Sequence, residues 1–304
     1  MMNRLSLIAA ASLAATLFAA PASAQNAYGS YGTYGGDPCA SGSDAGANWG
    51  GSRTLQVVGL TSDNRLVCFN EYAPQDARSI NFVSNLSGGD TALIGIDFRV
   101  QNRLLYGVGN AGGVYVIDTS NAVATLVNRL SVALDGSTSY GVDFNPAADR
   151  LRITSSKGQN LRHNVNAGGV TVTDGVLNYS PGVTALGIVG SAYTNNDLDA
   201  NTATTLYALD STLDQIALQS PPNNGTLAAT GKLTVDATEV AGFDIYSTVR
   251  NGVTVEVQAL ASIKAADGST GLYSVKLPTG KASLRGNFGA GFLVTDIAIP
   301  LNQL

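Results

Sequence analysis

The sequence predicts an all-β fold in which one four-stranded unit is repeated, and three observations predict it. From Thr54 onward, strand-length runs rich in Val, Ile, Leu, Tyr and Thr alternate with Gly, Asn, Asp and Pro clusters, with no helical amphipathic stretch between them. A short motif recurs at a step near fifty residues. The last copy of that motif has almost no chain after it, while the first three runs have no copy before them.

The chain has 304 residues. Met1-Met2-Asn3-Arg4 is a short positive start, Leu5 to Ala20 is an Ala/Leu-rich apolar run, and Ala22-Ser23-Ala24 has the small-x-small pattern of a cleavage site. This is the layout of a secretory signal peptide over residues 1–24, with Gln25 as the first mature residue. The apolar run is short for a membrane span, and no later stretch is long enough, so no span is expected after leader removal. The expected destination is the periplasm or the medium. Residues 25–52 are of low complexity, with Tyr28, Tyr31 and Tyr34 set among Gly and Ser, and read as a flexible Tyr/Gly-rich arm. In an oxidising compartment Cys39 and Cys68 can form a disulfide, tying this arm to the folded body. The loop closed would be about 30 residues, for a stabilisation of roughly 3–4 kcal/mol.

The rest, residues 53–304, reads as one domain. Its runs include Leu55 to Leu60, Arg65 to Phe69, Leu104 to Val108, Val114 to Ile117, Leu151 to Ile153, Thr205 to Leu209, Val253 to Leu260 and Leu272 to Val275. Gly112-Gly113, Asp135-Gly136, Asp174-Gly175 and Asn251-Gly252 are turn signals between them. The motif copies are Gly95-Ile96-Asp97-Phe98, Gly141-Val142-Asp143-Phe144, Gly242-Phe243-Asp244-Ile245 and Val294-Thr295-Asp296-Ile297, with a degenerate copy at Gly190-Ser191-Ala192-Tyr193. Their third positions, 97, 143, 192, 244 and 296, are 46, 49, 52 and 52 residues apart. A four-stranded repeat of that length is the signature of a β-propeller blade. Four complete units begin near residues 95, 141, 190 and 242. The final motif and the first three runs together make a fifth. The expected fold is therefore a five-bladed propeller of four-stranded blades, closed by the C-terminal strand joining the N-terminal blade. Six blades or an irregular sandwich are the alternatives.

Composition excludes several functions. Hydrophobic residues make up 44% and charged residues 13%, about half the usual charged share, and the net charge is −5. An acidic chain with scattered Lys and Arg is a poor nucleic-acid binder. One His and two Cys exclude a Cys/His zinc centre. His163 would have to serve any Ser-His-Asp triad, but no Gly-x-Ser-x-Gly elbow is present, and a structural role is the simpler expectation.

Four groups of residues are candidates for chemistry or recognition. Asp97, Asp143, Asp244 and Asp296 would stand near the central channel, where carboxylates can hold a cation or accept hydrogen bonds from the next blade. Asp197, Asp199 and Asn201 have the spacing that opens a calcium loop, but Thr202 and Ala208 stand where Gly and Glu are required, so the metal signal is weak. Arg152, Gln159, Asn160 and Arg162 form the most polar stretch. They are candidate ligand contacts on a rim, or else Arg-Asp pairs with Asp149 and Asp143. Gln219 to Leu227, with Pro221-Pro222-Asn223-Asn224-Gly225 inside it, reads as a tight exposed turn and a candidate recognition loop.

Tyr140-Gly141-Val142-Asp143-Phe144-Asn145-Pro146, Asp149-Arg150-Leu151-Arg152, Gly158-Gln159-Asn160-Leu161-Arg162, Ala192-Tyr193-Thr194-Asn195, Thr204-Thr205-Leu206-Tyr207 and Pro221 to Leu227 resemble, in that order, the domain-of-unknown-function family 4394. The resemblance spans roughly residues 54 to 300. It implies an exported bacterial protein of propeller type, and it transfers no catalytic residue. The sequence as a whole points to a non-enzymatic binding module for a protein, glycan or envelope component, with no cofactor. The alternatives are a calcium-dependent lactonase-like hydrolase and a structural surface or matrix protein.

Overall fold

A computed structural model describes residues 54–199, 201–301 and 303. The expected leader, the Tyr/Gly arm and Cys39 lie outside the described residues. Cys68 is buried in the second strand.

The described chain is built of strands. Four-stranded antiparallel sheets follow one another along the sequence. Blade 1 holds β1 (Gln56–Thr61), β2 (Arg65–Asn70) and β3 (Ala73–Phe82). Blade 2 holds β4 (Leu93–Phe98), β5 (Leu105–Gly109), β6 (Gly113–Ile117) and β7 (Ala124–Arg129). Blade 3 holds β8 (Tyr140–Asn145), β9 (Arg150–Ser155), β10 (Asn160–His163) and β11 (Thr171–Thr173). A small hairpin, β12 (Asn178–Ser180) and β13 (Val183–Thr184), precedes blade 4. Blade 4 holds β14 (Ile188–Tyr193), β15 (Leu206–Asp210), β16 (Gln215–Gln219) and β17 (Leu227–Lys232). Blade 5 holds β18 (Ala237–Arg250), β19 (Val253–Ala265), β20 (Thr270–Val275) and β21 (Ala282–Asn287). The final strand, β22 (Val294–Ala298), pairs antiparallel with β1 through Val58↔Ala298, Gly59↔Ile297 and Leu60↔Asp296. The C-terminal strand therefore completes the N-terminal blade, and the five-bladed closure read from the motif count is observed. Among the described residues no helix is long and apolar enough to cross a membrane.

Packing between blades explains why the strands read as nearly continuous apolar runs rather than alternating ones. A blade in a ring is covered on both faces, so both side-chain sets are buried. The apolar clusters go round in a circle. Leu66 and Leu60 meet Ile96 and Phe98. Tyr106 and Val108 meet Phe144 and Leu151. Val189 and Leu209 meet Phe243 and Ile263. Tyr246 and Leu260 meet Val67 and Ile297. The junction between blades 3 and 4 has the smallest cluster, with Leu177, Ala185, Ile188, Ala208, Ala217 and Leu227.

The motif glycines are set by how closely the innermost strands approach. A Cβ on Gly141 would lie 2.5 Å from the Ser191 backbone nitrogen, and one on Gly242 would lie 2.4 Å from Asp296 Cα. Neither neighbour is a flexible side-chain tip, so only Gly lets adjacent inner strands come this close. The axis at that level is packed strand against strand.

Candidate functional site

Three polar constellations correspond to the sequence candidates. The first is at the axis. Asp97, Asp143, Asp244 and Asp296 lie on the innermost strands of blades 2, 3, 5 and 1, and all are buried. Each accepts a backbone N–H from the following blade. Phe144 N–H donates to Asp97 (2.7 Å), Tyr193 N–H to Asp143 (3.1 Å), Ile299 N–H to Asp244 (2.6 Å) and Ile96 N–H to Asp296 (2.8 Å). In Asp97, Asp244 and Asp296 the other oxygen accepts the N–H of the next residue in its own strand. The pins thus join blades 2 to 3, 3 to 4, 5 to 1 and 1 to 2. Where blade 4 meets blade 5 the motif residue is Ala192, which packs in the apolar cluster instead.

The cost of this arrangement is electrostatic. Burial, followed by repulsion from neighbouring carboxylates, pushes Asp97 and Asp143 well above the ordinary carboxyl range. Burial does the same to Asp296 and raises Asp244 to about 6. One oxygen each from Asp97, Asp143 and Asp244 lies within 4.8 Å of the others. Such a cluster lowers its energy by holding protons or a hard cation.

These shifts have a sign that melting experiments can read. A carboxyl whose pKa is higher in the fold contributes stability fully below the unfolded value near 3.8. That contribution is lost as pH rises through the folded value. His163 works the other way, because burial lowers it from 6.5 to about 4, so its contribution is lost as pH falls from 6.5 towards 4. Four carboxyls outweigh one imidazole. The expected result in chelator is a higher melting temperature at pH 5 than at pH 8. A flat or rising profile would show that the carboxylates remain ionised. Stoichiometric calcium that restored the loss at pH 8 would give the cluster a cation.

The second constellation is the Arg152 stretch. Asp143, Arg152 and Arg162 are paired positions on β8, β9 and β10, so all three lie on one face of blade 3, towards blade 4. Arg152 is only 1% exposed. Its Nε donates to Tyr193 Oη (3.2 Å), Nη1 to Asn160 Oδ1 (2.7 Å) and Asp174 Oδ2 (2.6 Å), and Nη2 to Asn223 Oδ1 (3.0 Å). Arg162 makes a two-point contact with the same Asp174 from the outer side, at 2.6 and 2.8 Å. Asn160 donates to the Gly175 and Pro222 carbonyls. The Pro-Pro-Asn-Asn-Gly turn is thereby fastened to blade 3. Gln159 faces a different partner, the chain between blades 2 and 3, through Ala133 O and Asp135 N–H. The ion-pair partners expected from sequence proximity are corrected: Asp174 takes both arginines, and Asp149 pairs with Arg99 (2.5 Å). Sequence reasoning missed Asp174 and the Tyr193 hydroxyl as partners of Arg152. Asp174 was visible only as half of an Asp-Gly turn.

The third constellation, Asp197, Asp199 and Asn201, forms successive turns. Asp197 Oδ1 accepts the Asp199 N–H, and Asp199 Oδ1 accepts the Asn201 N–H. Asp197 Oδ2 accepts both the N–H and the hydroxyl of Thr254 (2.9 and 2.7 Å), which anchors the loop to the β18–β19 hairpin. His163 is fully buried, with Nδ1 3.0 Å from Thr171 Oγ1 and Nε2 2.9 Å from Asn128 Oδ1.

A surface feature joins these. Between His163 and Asp197 the only charged residue is Asp174, which is buried and paired. In the same stretch Val170, Val172, Val176, Val183 and Leu186 are 42–64% exposed. Val170 directly precedes β11, Val172 is on it, and the others are on residues 174–187, the connection that carries the extra β12–β13 hairpin.

No curated protein matches the chain. Among solved structures it is similar to an auxiliary nutrient binding protein from Bacteroides ovatus, at 14% identity and TM-score 0.39, covering 69% of this chain. It spans 56% of that protein's length. It is also similar to a protein provisionally named a 6-phosphogluconolactonase from Bacteroides uniformis, at 12% identity and TM-score 0.38, covering 79% of this chain and 84% of the other. A protein of unknown function from Bacteroides thetaiotaomicron has 13% identity and TM-score 0.41, covering 82% of this chain and 67% of the other. None of these likenesses is close enough to carry a role over. The pattern of the domain of unknown function DUF4394 matches residues 65–298. A match over most of the chain, spanning the strands that form the five blades, makes this protein a member of the DUF4394 family.

Proposed function

We propose that the protein is an exported binding module, working in the periplasm or outside the cell, whose contact surface for a protein partner is the outer edge of blade 3 with the hairpin that follows it. The observation that carries this reading is the group of five exposed aliphatic side chains from Val170 to Leu186 on a stretch with no exposed charge. Five such side chains fall within seventeen residues of sequence, and exposed apolar side chains that form one patch mark interaction surfaces. Val and Leu suit a protein surface better than a glycan, for which aromatic platforms are the common device. Arg162, partly exposed at the margin of the group, supplies a polar rim of the kind such surfaces have.

The test is site-specific crosslinking in the producing cell. A photo-reactive residue at Val183 is expected to give a discrete protein adduct that Val172→Asp abolishes. The same probe at Leu126, exposed on the outer strand of blade 2, is expected to give none. No adduct at Val183, or one indifferent to Val172→Asp, would reject the surface.

A further inference from the structure

The innermost strand of each blade has one unpaired edge, and one N–H from each of the five meets the aspartates at the axis. Phe98 and Phe144 N–H donate to the two oxygens of Asp97, and Ile245 and Ile299 N–H to the two oxygens of Asp244, all at 2.6–2.7 Å. Tyr193 N–H donates to Asp143 Oδ1 at 3.1 Å. Five N–H groups thus meet six carboxyl oxygens. The sixth oxygen, Asp143 Oδ2, receives none of them, although Asp143 is only 3% exposed. Asp296 stands apart from this ring. A Cβ on Gly95 would lie 2.9 Å from its Oδ2, so it is level with the motif glycines, and both its oxygens accept N–H bonds there. Ala298, the residue before Ile299, takes the place in blade 1 that Asp143 takes before Phe144 in blade 3.

β8, which carries Asp143, packs against β4, β9, β14 and β18. β4 brings Asp97, β18 brings Asp244, and β14 brings Tyr193, whose hydroxyl accepts from Arg152. β9 brings two cations. Arg152 is the paired position of Asp143, but its other bonds go to Asn160, Asp174 and Asn223. Arg150 donates to the Ala148 and Asp149 carbonyls. Neither arginine is bonded to Asp143. Towards the two ends of β18, Glu239 is held by the Thr138 hydroxyl and Arg250 is exposed. Burial, then the charges of Asp97, Asp244 and Asp296, work against ionisation of Asp143.

We infer that Asp143 is an internal acid of the ring: its Oδ2 carries a proton at neutral pH, while Asp97 and Asp244 are carboxylates. Protonating either of those two would weaken an N–H bond already made, whereas a proton on Asp143 Oδ2 weakens none. Calcium fits less well, because it takes about six to eight oxygen ligands and five of these six oxygens already accept an N–H. The proton makes the axis pH-sensitive. As pH rises through the folded pKa of Asp143 the proton leaves, three like charges face one another, and stability is lost on the alkaline side.

The experiment is infrared spectroscopy and thermal melting of the mature chain in chelator, with Asp143→Asn, Asp97→Asn and Asp244→Asn beside wild type. The expected infrared result at neutral pH is the carbonyl band of a protonated carboxylic acid, lost in Asp143→Asn. An asparagine there can offer Oδ1 to Tyr193 N–H and set Nδ2–H where the proton was. Asp143→Asn should therefore melt no lower than wild type at pH 5 and higher at pH 8, with a flatter profile between. In Asp97→Asn and Asp244→Asn an amide N–H faces a backbone N–H, and each is expected to melt roughly 5 °C lower. Failure of either of these two to fold agrees with the inference. A wild type without the band, a band that survives in Asp143→Asn, or an Asp143→Asn chain that fails to fold overturns it. A protein that retains calcium through purification and shows the band only after chelator overturns it in favour of a metal site.

Discussion

A chain ending at residue 293 does not fold cooperatively. β22 supplies the inner strand of blade 1 and the Asp296 pin to Ile96. It and the residue that follows it also supply four apolar side chains, Val294, Ile297, Ala298 and Ile299, each at most 2% exposed. Burying Val and Ile side chains stabilises by about 1.5–3 kcal/mol each, so their loss alone removes about 5–9 kcal/mol. That is comparable with the whole stability of an ordinary domain. The truncated chain is expected to show no sharp thermal transition and to bind a hydrophobic dye, whereas the full chain melts in one step. A truncated protein with the wild-type melting temperature would mean that the ring does not depend on its closing strand.

The second large effect is at Arg152. Arg152→Met keeps most of the side-chain volume but takes the Arg152 donor from Asn223 and the Tyr193 hydroxyl, leaves Asn160 Oδ1 only the longer bond from Gln219, and leaves Asp174 with one arginine instead of two. Breaking a buried charge network from one side costs about 3–5 kcal/mol. Urea unfolding is expected to show that loss. Arg162→Met should cost no more than about 1 kcal/mol, because its side chain is 31% exposed and the pair is screened by solvent. Arg152→Lys is not expected to rescue, since an ammonium cannot reach four acceptors spread around a planar fork. Equal effects at Arg152 and Arg162 would show that the seam between blades 3 and 4 is held elsewhere.

The repeat was legible because it is carried by local sequence. A glycine needed where inner strands touch and an aspartate two residues later recur at nearly constant spacing, and arithmetic on Asp97, Asp143, Asp244 and Asp296 is enough to place the closing strand. The polar seam was legible only in part. Arg152, Asn160 and Arg162 stood out by composition, but their partner Asp174 and the Tyr193 hydroxyl are fixed by how β10 and β14 lie across a blade junction, which spacing along the chain does not encode. Proximity in sequence suggested Asp149 instead, yet that carboxylate faces blade 2, where Arg99 holds it. The β12–β13 hairpin was missed because its strands are two and three residues long, below the length at which alternation can be read. The apolar patch escaped notice for a related reason. Val172 and Val183 look like core residues in the sequence, and only the position of β11 at the rim shows that they are uncovered.

Blade 1 takes its inner strand from one end of the chain and its other three from the opposite end, and Gln56 is bonded to Gln303. A ribosome delivers those two residues far apart in time. Through nearly the whole of synthesis the nascent polypeptide therefore lacks the strand that locks it. Blade 1 can close only once β22 has left the ribosome.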